Sequence, residues 1–98
     1  MIIRIVKMSF RAEEVNNFLC LFEERKKLIR HFEGCLHLEL WQDASSGNTF
    51  FTYSHWESEK HLDHYRFSEL FKDTWAKTKV LFEAPPQAWS VGRMLDVE

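Results

Sequence analysis

Ninety-eight residues, 45% hydrophobic and 29% charged with a formal net charge of −2, describe one folded domain, residues 1–98, and exclude a disordered chain. Basic and acidic residues are mixed, so no basic stripe points to nucleic acid, and no apolar run approaches the ~20 residues of a membrane span. Two cysteines are too few for a disulfide framework, and the start MIIRIVKMSF lacks the apolar segment of a secretion signal, so a cytoplasmic protein with free thiols is expected.

Met1–Met8, rich in Ile and Val, predicts a first strand; Arg4 and Lys7 break its apolar run, so one face is expected to be partly solvated or to meet acidic partners. Ala12–Phe32 predicts a helix, with Val15, Phe18, Leu19, Phe22, Ile29 and Phe32 forming one apolar stripe. Gly34 is its expected stop, since glycine tolerates the left-handed backbone there. Cys35–Asp43 predicts a second strand, with Leu36, Leu38 and Leu40 on the helix-covered face and Cys35, His37, Glu39 and Trp41 on the other. The turn-like cluster Ala44–Asn48 leads to a third strand, Thr49–Trp56.

Ser58 is a good N-cap for a short helix to about Tyr65. Ser68 can cap a second segment, whose helical period continues to Phe82. Pro85 and Pro86 forbid its continuation. Gln87–Leu95 alternates and predicts a last strand.

The order βαββαβ is that of a ferredoxin-like α+β domain, one antiparallel sheet with its helices on a single face. The opposite face is left bare, and the chain has nothing further to cover it. Fifteen per cent aromatic residues, nine of them Phe, are hard to hide in so small an interior. A second copy stacked sheet on sheet, a homodimer, answers both points.

The run Phe51–Phe71, with WESE at Trp56–Glu59, His64 eight residues after the Trp and Ser68-x-x-Phe71, resembles the antibiotic biosynthesis monooxygenase family. FEGC at Phe32–Cys35 and PPQAWSV at Pro85–Val91 are similar too. The resemblance implies a dimeric α+β barrel. It also implies cofactor-independent oxidation, by O2, of a small electron-rich aromatic substrate of the hydroquinone or phenol type. The haem-degrading branch relies on Asn, Trp and His where this chain has Lys7, Tyr65 and Trp75, so haem degradation is not what the resemblance favours.

Oxygenation without a cofactor needs an apolar pocket, a base or acceptor, and donors for developing negative charge. No phosphate loop or nucleophile elbow is present, and no metal or other cofactor is expected. His64 is the candidate base, because histidine titrates near neutrality, with Tyr65 orienting the substrate. Trp56, Phe71, Trp75 and Tyr53 are the candidate substrate-binding residues. For His64 the competing reading is a surface histidine beside Asp63; for the rings it is core packing. His61 and His64 share a helix face but lack a third ligand at metal-site spacing. The alternative function is a non-catalytic dimeric module that binds a small ligand or serves in stress, with haem binding or degradation a less favoured reading.

Overall fold

A computed structural model describes residues 1–98. Four strands, β1 (Ile2–Ser9), β2 (Cys35–Gln42), β3 (Thr49–Trp56) and β4 (Gln87–Val91), form one sheet in the order β2-β3-β1-β4. Every neighbouring pair is antiparallel. Helices α1 (Val15–Arg30), α2 (Glu59–Arg66) and α3 (Glu69–Lys79) complete the α+β, ferredoxin-like fold.

The helix ends follow local chemistry. A single 3₁₀ turn, Ala12–Glu14, leads into α1. The Ser58 hydroxyl accepts the His61 backbone N–H, and the Ser68 hydroxyl accepts that of Phe71, so each helix after β3 has its own N-cap. α3 ends before Leu81, short of the two prolines: the Leu81 and Phe82 N–H groups turn back to the carbonyls of Thr78 and Lys79, and the carbonyls that follow bond elsewhere. Arg11 Nη1 donates to the carbonyls of Val80 and Phe82 at 3.0 and 3.2 Å, and Phe10 bridges to Phe82. β4 also stops early: residues beyond Val91 join no ladder.

The second strand holds a correction. Cys35 pairs with Trp56 and His37 with His55, so the ladder slips at Leu36. A bulge of this kind reverses the face of what precedes it. Cys35 therefore turns toward the helices and is buried with Ile29, Trp56, Leu62 and Tyr65, rather than sharing the face of His37. Leu36, expected on the covered face, is 43% exposed.

Only 14 residues are buried, and the apolar ones, Ile3 aside, form two clusters instead of one core. One gathers about Trp56 and Tyr65. The other comprises Met8, Phe10, Phe18 and Phe50. The space between sheet and helices, where a single core would sit, holds a cavity.

A candidate active site between sheet and helices

The cavity measures about 320 Å3. Strand alternation supplies its floor: Arg4, Val6 and Met8 from β1, Thr52, Ser54 and Trp56 from β3, Leu38 from β2 and Ala88 from β4. Helical spacing supplies its roof. Phe18, Leu21 and Phe22 come from α1, Leu62, Tyr65 and Arg66 from α2, and Phe71, Thr74, Trp75 and Thr78 from α3.

One wall is a continuous file of rings. Tyr65 stacks on Trp56 with centroids 4.8 Å apart. Phe71 meets Tyr65 edge-on at 5.2 Å, and Trp75 lies parallel to Phe71 at 5.8 Å. Trp56 is fixed from below, since its indole N–H donates to Ser54 Oγ at 3.0 Å.

The polar groups are few. Burial pushes the Tyr65 phenol well above its ordinary pKa, with the Cys35 thiol adding in the same sense, so it is a neutral donor at physiological pH. No buried side-chain polar atom in the chain lacks a partner; the Tyr65 hydroxyl, which bonds no protein group, therefore keeps some accessible surface, and its residue lines the cavity. Arg4 donates to Ser90 Oγ at 3.0 Å. Burial lowers its pKa, the Arg66 charge lowers it further, and Asp63 acts the other way; arginine stays charged regardless. No Asp, Glu or His lines the cavity.

Above the cavity α1 and α3 are tied together. Arg25 Nη1 reaches Asp73 Oδ2 at 2.8 Å and Thr74 Oγ1 at 2.9 Å. The Arg25 hydrogen bond, chiefly, holds the Asp73 carboxyl below its usual range.

A family model described as antibiotic biosynthesis monooxygenase matches residues 1–77. The chain belongs to that family. Solved structures agree on the architecture. An antibiotic biosynthesis monooxygenase superposes with a TM-score of 0.90 at 18% identity, covering 97% of this chain and all of its own. A conserved protein from Methanosarcina mazei Go1 gives 0.89 at 20% identity, covering 96% and 94%. A Mycobacterium tuberculosis protein gives 0.88 at 18%, covering 99% and 98%. At such identities the likeness establishes the fold. No curated protein matches the chain.

Within the family framework, the fold brings together four of the six residues singled out from sequence: Trp56, Tyr65, Phe71 and Trp75 all line the cavity. The other two lie elsewhere. His64 precedes Tyr65 by one residue, about 100° around α2, and Tyr65 already faces inward with Leu62. His64 is exposed and sets its ring edge-on to Phe32 at 5.5 Å. Tyr53 alternates with the cavity-facing Thr52 and Ser54, so it lies on the opposite sheet face, stacked on Trp41 at 4.5 Å. Lys7 shares that far face, while Tyr65 and Trp75 hold the other two positions matched to the haem-degrading branch. His61 caps α2 locally, its Nδ1 2.7 Å from Ser58 Oγ and its Nε2 3.2 Å from Glu57.

Sequence reading missed Arg4, Arg66, Ser54 and Thr74 as cavity groups. Arg4 had a legible signal, because it shares the even positions of β1 with the apolar Ile2, Val6 and Met8.

Proposed function

We propose that the chain is a cofactor-independent monooxygenase that encloses a small electron-rich aromatic substrate in this cavity and lets it react directly with O2. The observation that carries the reading is the ring-walled cavity, with neutral Tyr65 as a donor among its lining residues. Phe71 and Trp75 would pack against a planar substrate, with Trp56 at the base of the wall beneath Tyr65, and Tyr65 would hydrogen-bond its oxygen as negative charge develops there.

The reaction balances without an added reductant for a phenolic ring system with an activated methylene. One atom of O2 becomes the new carbonyl, the other leaves as water with the two methylene protons, and the four electrons come from the substrate carbon. His64 has no substrate contact in this scheme. The test is oxygen uptake by metal-free protein with a panel of hydroquinones and anthrones. Uptake that depends on Tyr65 is the expected result; no uptake above buffer with any member of the panel overturns it.

We further propose that the working unit is a cytoplasmic homodimer joined through the far sheet face. That face carries rows of side chains paired across the sheet: His37, His55, Ile3 and Val91, then Glu39, Tyr53, Ile5 and Trp89. Trp41, Trp89 and Val91 are each about two-fifths exposed, an apolar surface more fitted to a second sheet than to water. Light scattering is expected to give twice the 11.8 kDa chain mass, and Trp89→Glu to halve it. A wild-type mass of a single chain would contradict the dimer.

A further inference from the structure

The cavity brings cations and no base. Arg4 and Arg66 are its only charged lining residues. Arg4 forms no ion pair, and its one side-chain hydrogen bond, to Ser90, leaves most of its guanidinium donors free. The nearest balance for Arg66 is Asp63 at 3.9 Å, on the outer side of α2. Burial is the main reason the Arg4 pKa is lowered, and the nearby Arg66 charge adds to it. Two like charges at the edge of an apolar cavity, in a chain whose own net charge is −2, are stabilised by an anion arriving from outside.

The same lining offers an acidic ligand no help in ionising. Tyr65 is held in its protonated form, and with no carboxylate or imidazole in the cavity no side chain there can accept a proton near pH 7. A ligand that arrives already ionised needs no such acceptor.

Resting on the reading of the cavity as the substrate site, we propose that the substrate class is an aromatic anion: a flat apolar body with one ionised acidic group, bound so that the acidic group meets Arg4 and Arg66. The rings of Phe71 and Trp75 take the body. The fork of N–H groups on each guanidinium takes the acidic oxygens.

The test is equilibrium binding, followed by quenching of tryptophan fluorescence, of 2-naphthoate and its neutral counterpart 2-naphthylmethanol. Wild-type protein is expected to prefer the carboxylate by about ten-fold or more, the scale of a charge-assisted hydrogen bond in a partly dry site. Arg4→Gln is expected to remove most of that preference while leaving the alcohol unaffected, and Arg4→Lys to retain part of it. Arg66→Gln, at the exposed end of α2, is the second variant should Arg4→Gln fail to fold. Lys26→Gln with Lys27→Gln, at residues that line a separate groove between α1 and β2 with Leu38 and Leu40, is expected to change nothing.

Equal affinity for the two ligands, equal loss of both in Arg4→Gln, loss of preference in the Lys26/Lys27 variant, or no binding of either ligand each overturns the proposal. Because binding is read without turnover, the two readings separate. Oxygen uptake with neutral hydroquinones and no anion preference would sink only this inference. Anion preference without oxygen uptake on any substrate would sink only the oxygenase.

Discussion

The Tyr65 ring lies on the Trp56 indole, centroids 4.8 Å apart and planes 24° from parallel. This stack holds the phenol in place and buries most of its ring. Tyr65→Phe keeps the stack and deletes only the donor. It is expected to lower kcat/KM about 10- to 100-fold, the scale of a hydrogen bond to developing charge, with His64→Ala within about two-fold of wild type. Steady-state oxygen uptake by the two variants checks both.

The same phenol sets a limit at high pH. Its pKa is raised on folding, so the native state holds that proton more tightly than the unfolded chain does. The resulting stability is fully present below the ordinary phenol pKa near 10 and is lost as pH rises from there toward the folded value. Denaturant titrations across pH 9–11 are expected to show wild type losing stability faster than Tyr65→Phe. Parallel curves would mean that Tyr65 ionises as freely in the folded protein as outside it.

Trp56 and Trp75 belong to one file of rings but to different kinds of site. Trp56 is 1% exposed and hydrogen-bonded to Ser54, so Trp56→Ala is expected to cost about 3–5 kcal/mol, a large share of a small domain's stability. Trp75 is only half-buried and borders empty space. Trp75→Ala is expected to cost less and to raise KM for aromatic substrates. Melting curves and substrate saturation curves separate the two outcomes.

Gly34 joins α1 to β2 with φ +86°, and a Cβ added there would stand 2.5 Å from His61. Backbone strain and overlap act together, since the clash is with the His61 Cβ and ring base and no rotamer relieves it. Gly34→Ala is expected to destabilise by about 2 kcal/mol or more, roughly 8–16 °C in Tm. A change within about 1 °C would show that the α1–β2 turn relaxes freely.

Arg25 and Asp73 give an acid limit of opposite sign to that of Tyr65. The Asp73 pKa is lowered on folding, first by its hydrogen bond from Arg25. Its contribution is present above the unfolded carboxylate value near 3.9 and is lost as pH falls through the lower folded value. Asp73→Asn is expected to be less stable than wild type at pH 7, with the gap closing below about pH 4. A gap that stays constant down to pH 2 would remove Asp73 from the acid transition.

The fold was legible because its elements are long and consistently patterned. Val15 to Ile29 and Leu70 to Thr78 keep a helical period, and Ser58 and Ser68 mark two helix starts. The misplacements came where one tertiary contact decides a face or an end. The bulge at Leu36 turned Cys35 inward, and strand alternation before it gives no sign of the slip. α3 stopped before Leu81, where Arg11 bonds the carbonyls that follow it, although the local sequence could have continued to the prolines.

At the site, the ring wall could be named from Trp56, Tyr65, Phe71 and Trp75. Which of His64 and Tyr65 faces the cavity could not be read from chemistry, because a histidine looks the better base. Geometry shows it, since adjacent residues on a helix diverge and only Tyr65 lines the cavity with Leu62. Arg4 was read as an interruption of a strand, whereas strand parity places it on the cavity floor.

A domain this small that keeps about 320 Å3 unfilled between its two apolar clusters forgoes packing that a ligand can restore. Any molecule that fits the void adds its contacts to the native state and none to the unfolded chain. At a hundred times its Kd it would stabilise the fold by about 2.7 kcal/mol. The melting temperature is thereby a gauge of occupancy, so a thermal-shift screen of aromatic acids can rank substrates before any turnover has been detected.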